Sequence, residues 1–157
     1  MPISLREITK ETVYDVTQLS VSDDQSDYVA PNAMSLAQAL FNPEAYYRAI
    51  YADETLVGFI MLYDETQRDT APKKPGVDIW RFMIDKKHQN KGYGRRVLEI
   101  VISELKARQC FESVKLSYVP GNDSAVALYK SIGFVETGEI EEGEVIMNLK
   151  LQSWSHK

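Results

Sequence analysis

The chain has 157 residues, 44% of them hydrophobic, enough to build the core of one ordinary domain. Its net charge of −5 argues against general nucleic-acid binding, and no apolar run reaches the roughly 18 residues that a membrane-spanning helix needs. A lone Cys110 cannot make an internal disulfide and Met1-Pro2-Ile3-Ser4 has no signal-peptide character, so a reducing cytoplasm is the expected setting.

In chain order, Ile3 to Ile8 alternates like a first, edge-type strand. Thr9 is placed to cap a helix over residues 10 to 19 with Val13, Val16 and Leu19 facing inward. Ser22 to Tyr28 is polar and non-periodic, a loop or short helix that ends at Pro31. Ser35 reads as the cap of a second helix that stops at Asn42-Pro43. Residues 46–52 and 55–63 form a hairpin joined by Asp53-Glu54, and residues 64–76, with Pro72 and Pro75, read as a long mobile connection of the kind that often covers a site. Trp80 to Asp85 is a strand without Gly or Pro, followed by a turn and a helix from Gly92 that carries Val97, Leu98, Val101, Ile102 and Leu105 at helical spacing. Ser113 to Val119 is a strand, Asn122 to Ser131 a short helix, and residues 133–140 and 144–151 a closing antiparallel pair before a polar tail, 152–157. The order β-α-α-β-β-β-α-β-α-β-β gives an α/β fold class: one domain over residues 1–151, a mixed sheet with helices on its faces.

The chemistry centres on Gln89-Asn90-Lys91-Gly92-Tyr93-Gly94, a turn that brings bare N–H groups to a helix N-terminus. Such an end carries roughly half a positive charge and suits a phosphate or pyrophosphate, and glycine there lets a ligand reach the backbone. The letters exclude a P-loop, since no G-x-x-x-x-G-K-[ST] is present. They weaken a dinucleotide fingerprint, because Val97 stands where its third small residue belongs, although Glu112 falls about where a ribose-binding acid should. Lys86, Lys87, Lys91, Arg95 and Arg96 make residues 86–96 basic with no acid among them, so the rest of the chain is more acidic than its net charge of −5. That division suits an anionic cofactor beside a cationic second substrate. His88 sits in the basic turn, His156 lies in the tail, and no His, Cys and carboxylate grouping has metal-ligand spacing, so no metal is expected.

A second motif, Asn122-x-x-Ala125-x-x-Leu128-Tyr129-x-x-x-Gly133-Phe134, follows the first by about thirty residues. Together, in this order, they resemble the GCN5-related N-acetyltransferase superfamily, which joins Q/R-x-x-G-x-G/A after its fourth strand to N-x-x-A-x-x-L-Y-x-x-x-G-F after its fifth. The resemblance covers nearly the whole chain and implies that fold and acetyl-CoA as cosubstrate. It implies that Gln89, Asn90, Lys91, Gly92, Tyr93, Gly94 and Arg95 wrap the pyrophosphate, and that Ile84 pairs its main chain with the pantetheine amides. The N–H of Phe82 would polarise the thioester carbonyl, Asn122 would hydrogen-bond the cofactor, and Tyr129 would sit at the sulfur. With a reference pKa near 10, a tyrosine can return a proton to a thiolate at little cost.

Within the superfamily the chain looks most like the bacterial spermine/spermidine (diamine) acetyltransferases, through Arg81-Phe82-x-Ile84-Asp85, Gln25-x-x-Tyr28 and Gly143 to Met147. Members of that group often carry a carboxylate just before the Arg-Phe pair. Trp80 stands there instead, and Asp78, two residues earlier, is the nearest replacement base. The resemblance implies a small cationic amine as partner and a homodimer; the acidic charge of Asp23, Asp24 and Asp27 suits them to hold that cation, with Tyr28 beside them. Other readings are an aminoglycoside, another cationic molecule or a protein amine as acceptor, an acetyl-CoA-binding module without turnover, and, more remotely, a nicotinamide-dependent redox enzyme.

Overall fold

The computed structural model of the chain describes residues 2–25 and 30–151, and of Asp24 the backbone alone. The strands are β1 (Ile3–Arg6), β2 (Ala45–Ala52), β3 (Thr55–Asp64), β4 (Val77–Ile84), β5 (Ser113–Tyr118), β6 (Val135–Glu141) and β7 (Glu144–Lys150). The helices are α1 (Val13–Gln18), α2 (Asn32–Ala39), α3 (Tyr93–Arg108) and α4 (Asp123–Ile132). The strands form one seven-stranded sheet in the order β1-β2-β3-β4-β5-β7-β6.

Its middle is set by β3, whose run from Val57 to Leu62 is buried throughout. A strand hydrophobic on both faces must be covered on both. One face lies under α3 and carries Ile60, Leu62, Val77, Ile79, Leu116 and Met147; the other lies under α1 and α2 and carries Ala49, Phe59, Met61 and Met83. Gly58 lets β4 come close, since a Cβ there would collide with the Met83 carbonyl oxygen. Helix α3 presents Tyr93, Val97, Leu98, Val101, Ile102 and Leu105 to the sheet, the stripe its sequence spacing predicts, and ends at Gln109 in the left-handed region.

The feature that positions the site is a wedge in this sheet. Strand β4 pairs with antiparallel β3 along its whole length, slipping register at Trp80 between Met61↔Arg81 and Leu62↔Ile79. Its parallel neighbour β5 pairs with it only at Val77↔Val114 and Asp78↔Lys115, then stays with β7 from Ser113↔Lys150 to Tyr118↔Val145. Beyond Asp78 the two strands part.

The element order is the expected one, with local corrections. Val13 is 37% exposed because α1 is a short helix whose inward position is Val16; Thr9 caps only the preceding turn, taking the Glu11 N–H on its hydroxyl. Helix α2 starts at Asn32 behind Pro31, so Ser35 is a buried interior residue and not a cap. Proline pre-sets that first turn. Strand β4 begins three residues before Trp80, at Val77. The 64–76 connection is clasped at its base, where Glu65 N–H donates to the Gly76 carbonyl and Gly76 N–H to Glu65 Oε1. It closes at the start of β4, and none of its residues reaches the wedge at the other end. Among the described residues, no helix is long and apolar enough to cross a membrane.

Candidate active site

The wedge opens into a cleft of about 850 Å³ lined from both faces of the sheet. Hydrogen-bond alternation decides which backbone groups look into it. Asp85 N–H donates to the Val57 carbonyl at 2.7 Å, so Asp85, and Met83 two residues back, aim their polar groups at β3. Phe82 and Ile84, each one residue before these, alternate with them and aim their polar groups the other way, into the space β5 has left. The Ile84 carbonyl accepts from the Gln89 side-chain amide at 2.9 Å, which leaves its N–H directed at the cleft. An N–H that can polarise a carbonyl and a backbone edge that can pair with an amide are both present.

The turn before α3 is held from below. The buried Asp85 carboxylate accepts from Ser20 N–H at 2.8 Å and Lys87 N–H at 3.3 Å, fixing where the chain leaves β4. Asn90 and Gly92 both take positive φ, 65° and 81°, and turn the chain sharply into the helix. Gly94 is informative in another way. A Cβ at that position would meet only Leu128 at 3.5 Å and Phe82 at 3.7 Å, ordinary contacts, so the protein's own packing does not demand glycine. Tyr93 is buried in the core, Lys91 is exposed, and Arg95 reaches the Ser131 hydroxyl on α4.

Helix α4 closes the same side. Asn122 stands at its N-cap without making a cap bond, although asparagine is among the best capping residues, and its side chain lines the cleft. Tyr129 packs edge-on against Phe134, centroids 6.1 Å apart, and burial pushes its phenol up to about 12. The hydroxyl therefore stays protonated throughout the neutral range. Giving that proton outright to a thiolate of reference pKa about 8.5 costs about 5 kcal/mol in this environment, more than the reference value near 10 implies.

On the other face the cleft is bordered by Val21, Gln25, Pro31, Trp80 and Arg81. Gln25 Oε1 accepts from the same Gln89 amide at 3.0 Å, tying the acidic segment's end to the glycine turn. Arg81 donates to Gln38 Oε1 and the Trp80 carbonyl, both at 3.1 Å, while its Nε is buried without a partner. Burial lowers its pKa and the charge of Glu144 opposes that shift. Asp78 does not line the cleft. It sits four residues before Phe82, about 13 Å along the strand, with one oxygen buried and unpartnered and its carboxyl raised, first by burial. Asp23 lies in a short 3₁₀ turn, Asp23–Gln25. Asp27, Tyr28 and the Asp24 side chain fall outside what the structure describes. Ser117 and Glu144 also line the cleft, Glu144 standing in the Gly143 to Met147 run but without a role there. The signal for them is the alternation of β5 and β7, legible only once those strands are paired. Among the described residues no cluster of three His, Cys, Asp or Glu is arranged around a metal position.

Comparison with known proteins matches this architecture. Over 152 residues the chain is 31% identical to a probable spermine N(1)-acetyltransferase of Bacillus subtilis subsp. natto, covering 94% of this chain and 97% of that one. It is 30% identical over the same length, with the same coverage, to a spermine/spermidine N(1)-acetyltransferase of Bacillus subtilis. Among solved structures, a Vibrio cholerae spermidine N-acetyltransferase in complex with CoA and spermine superposes with a TM-score of 0.72 at 17% identity over 95% of each chain. An aminoglycoside acetyltransferase in complex with coenzyme A gives 0.75 at 14%, also over 95% of each chain; at such identities the likeness is one of fold. The model of the acetyltransferase (GNAT) family matches residues 8–134, a span that holds the wedge, the glycine turn and Tyr129, and the chain belongs to that family.

Proposed function

We propose that the protein transfers the acetyl group of acetyl-CoA to a primary amine of a polyamine such as spermidine or spermine. One observation carries the choice of acceptor: identity of about 30% over nearly the full length of two proteins named for that activity. The residues present fit acetyl-CoA. Gly94 leaves a cradle that the protein's own packing does not need, two N–H groups of β4 face the wedge, and the Asn122 amide is not spent on its helix. Bound there, the cosubstrate supplies a thioester, an acetyl group on a good leaving group.

The chain's own residues do the remaining work. The turn from Gln89 to Arg95 holds the pyrophosphate with main-chain donors at the α3 N-terminus. Ile84 aligns the pantetheine arm as a short added strand. Phe82 N–H polarises the thioester carbonyl, a role that needs no particular side chain. Tyr129, protonated at working pH, donates toward the sulfur where negative charge appears. The acceptor arrives from the opposite face, along Gln25, Trp80 and Arg81, so the two substrates meet within the sheet. Asp23, Asp24 and Asp27 attract its distal positive charges.

A thiol-release assay with acetyl-CoA and a panel of amines tests this reading. Spermidine and spermine should exceed a neutral-tailed monoamine, an aminoglycoside and a peptide amine in kcat/KM by about tenfold or more. Preference for the aminoglycoside would move the acceptor class and leave the chemistry in place.

A further inference from the structure

An alkylammonium group has a pKa near 10 and must lose a proton before it can attack a thioester. Trp80, on the β4 border of the cleft, offers no carboxylate to take that proton, and Asp78 is displaced from the cleft toward the closed end of the wedge. Among the described residues one carboxylate lines the cleft, and it comes from the opposite strand pair.

Strand register fixes where it points. Leu116 and Met147 are cross-strand partners buried under α3. Alternation therefore turns the next pair, Ser117 and Ile146, to the other face, and Glu144, two residues from Ile146, goes with them. That is the face on which Trp80 packs. Ser117 Oγ donates to Glu144 Oε1 at 2.6 Å, which holds the carboxylate in place while leaving Oε2 for another donor. Glu144 is half-buried, lines the same cleft as Phe82 and Tyr129, and lies close enough to Arg81 for its charge to act on that guanidinium. Arg81 alone would repel a cation there.

We propose that Glu144 is the carboxylate that receives the acceptor's ammonium group and takes its proton. The inference rests on the acetyltransferase reading above. Glu144 removes one proton from the ammonium. The freed nitrogen then forms its bond to the acetyl carbon as the carbon–sulfur bond breaks. Tyr129 gives its hydroxyl proton to the departing sulfur, and the second proton shed by the nitrogen restores the phenol through solvent. Glu144 releases its proton to water. One ammonium and one thioester thus become one amide, one thiol and one proton.

The test compares Glu144→Gln, Asp78→Asn and Ser117→Ala with the parent, using acetyl-CoA and spermidine. Glu144→Gln should lose at least about thirtyfold in kcat/KM at pH 7, because the amine must now deprotonate unaided. For the same reason its kcat/KM should climb about tenfold per pH unit from 7 to 9, with a shallower climb in the parent. Calorimetry should find weaker spermidine binding to the CoA-loaded variant and acetyl-CoA affinity within about twofold of the parent. Asp78→Asn should stay within about threefold, and Ser117→Ala should fall about three- to tenfold. Parental rate and pH slope in Glu144→Gln overturn the proposal and leave the acetyltransferase reading standing, as does a large loss confined to Asp78→Asn. Should Glu144→Gln fail to fold, an unchanged kcat in Ser117→Ala overturns it. A parent that releases no thiol with spermidine refutes the polyamine reading, and this proposal with it.

Discussion

The two sides of the cleft are built by different means. On the α3–α4 side the groups proposed to act are mostly main chain: the turn at Asn90 to Gly94 and the Phe82 and Ile84 N–H groups that face the wedge. On the α1–α2 side they are side chains from distant parts of the sequence, Gln25, Arg81 and Glu144, brought together by strand pairing. A backbone-built site constrains neighbouring residues to be glycine or to take positive φ, and so writes a contiguous motif. A side-chain site leaves isolated letters. The half proposed to hold the cosubstrate is therefore easy to read, and the half proposed to take the acceptor is not.

The largest effect is expected at Gly94. A Cβ there meets Leu128 and Phe82 at ordinary distances, so the protein should fold, while a branched side chain would obstruct the proposed approach of the ligand to the main chain. Acetyl-CoA affinity by calorimetry should fall about a hundredfold or more. Unchanged affinity in a folded Gly94→Val protein would mean that the glycine turn is not the cofactor site.

This contrast also explains what could be read from the sequence. The central strand, helix α3 and both motifs were legible because their signals are local: a helical stripe from Val97 to Leu105, an uninterrupted apolar strand, glycines in a turn. The start of α2 was misplaced because Ser35 has the chemistry of a cap, whereas proline at position 31 fixes the first turn and buries that serine. Asp78 drew attention by closeness in sequence to Trp80. A strand step of about 3.3 Å carries it away from Phe82 instead, while Glu144, sixty-odd residues on, is brought in by the pairing of β5 with β7.

At Tyr129 the main-chain half depends on a side chain, and the comparison can be sharpened there. Tyr129→Phe keeps the ring against Phe134 and removes the hydroxyl. It should lower kcat about ten- to a hundredfold, with acetyl-CoA affinity within a few-fold of the parent. The same variant should change alkaline stability. Burial raises this phenol to about 12, so the fold favours its neutral form. That contribution is complete below pH 10, the unfolded value, and is lost as pH rises through 12. Urea unfolding at pH 9 and 11.5 should show the parent losing about 2 kcal/mol more than the variant. Equal losses would mean that the hydroxyl is solvated and that the fold does not favour its neutral form.

The acceptor half yields smaller effects. Replacing Asp23, Asp24 and Asp27 together by asparagine should raise the KM for spermidine about five- to tenfold and leave that of a neutral-tailed monoamine nearly unchanged. Equal shifts for both amines would make these acids a solvated surface. Smallest of all is Asp78→Asn. Because burial raises that carboxyl, its ionised form opposes folding at neutral pH, so removing the charge should add about 1 kcal/mol and shift Tm upward by a few degrees. A lower Tm would show that Lys115 and Arg68 hold the carboxylate more tightly than burial penalises it.

The proposed reaction moves an acetyl group from a thioester to a polyamine nitrogen in this cleft. Its most direct test is mass spectrometry of spermidine after incubation with the protein and acetyl-CoA, read beside the free thiol produced. Singly acetylated spermidine should form in step with the thiol, and both should fall well below the level of either single variant when Tyr129→Phe and Glu144→Gln are combined. Thiol release without acetylated spermidine, or no release from the parent, would contradict it.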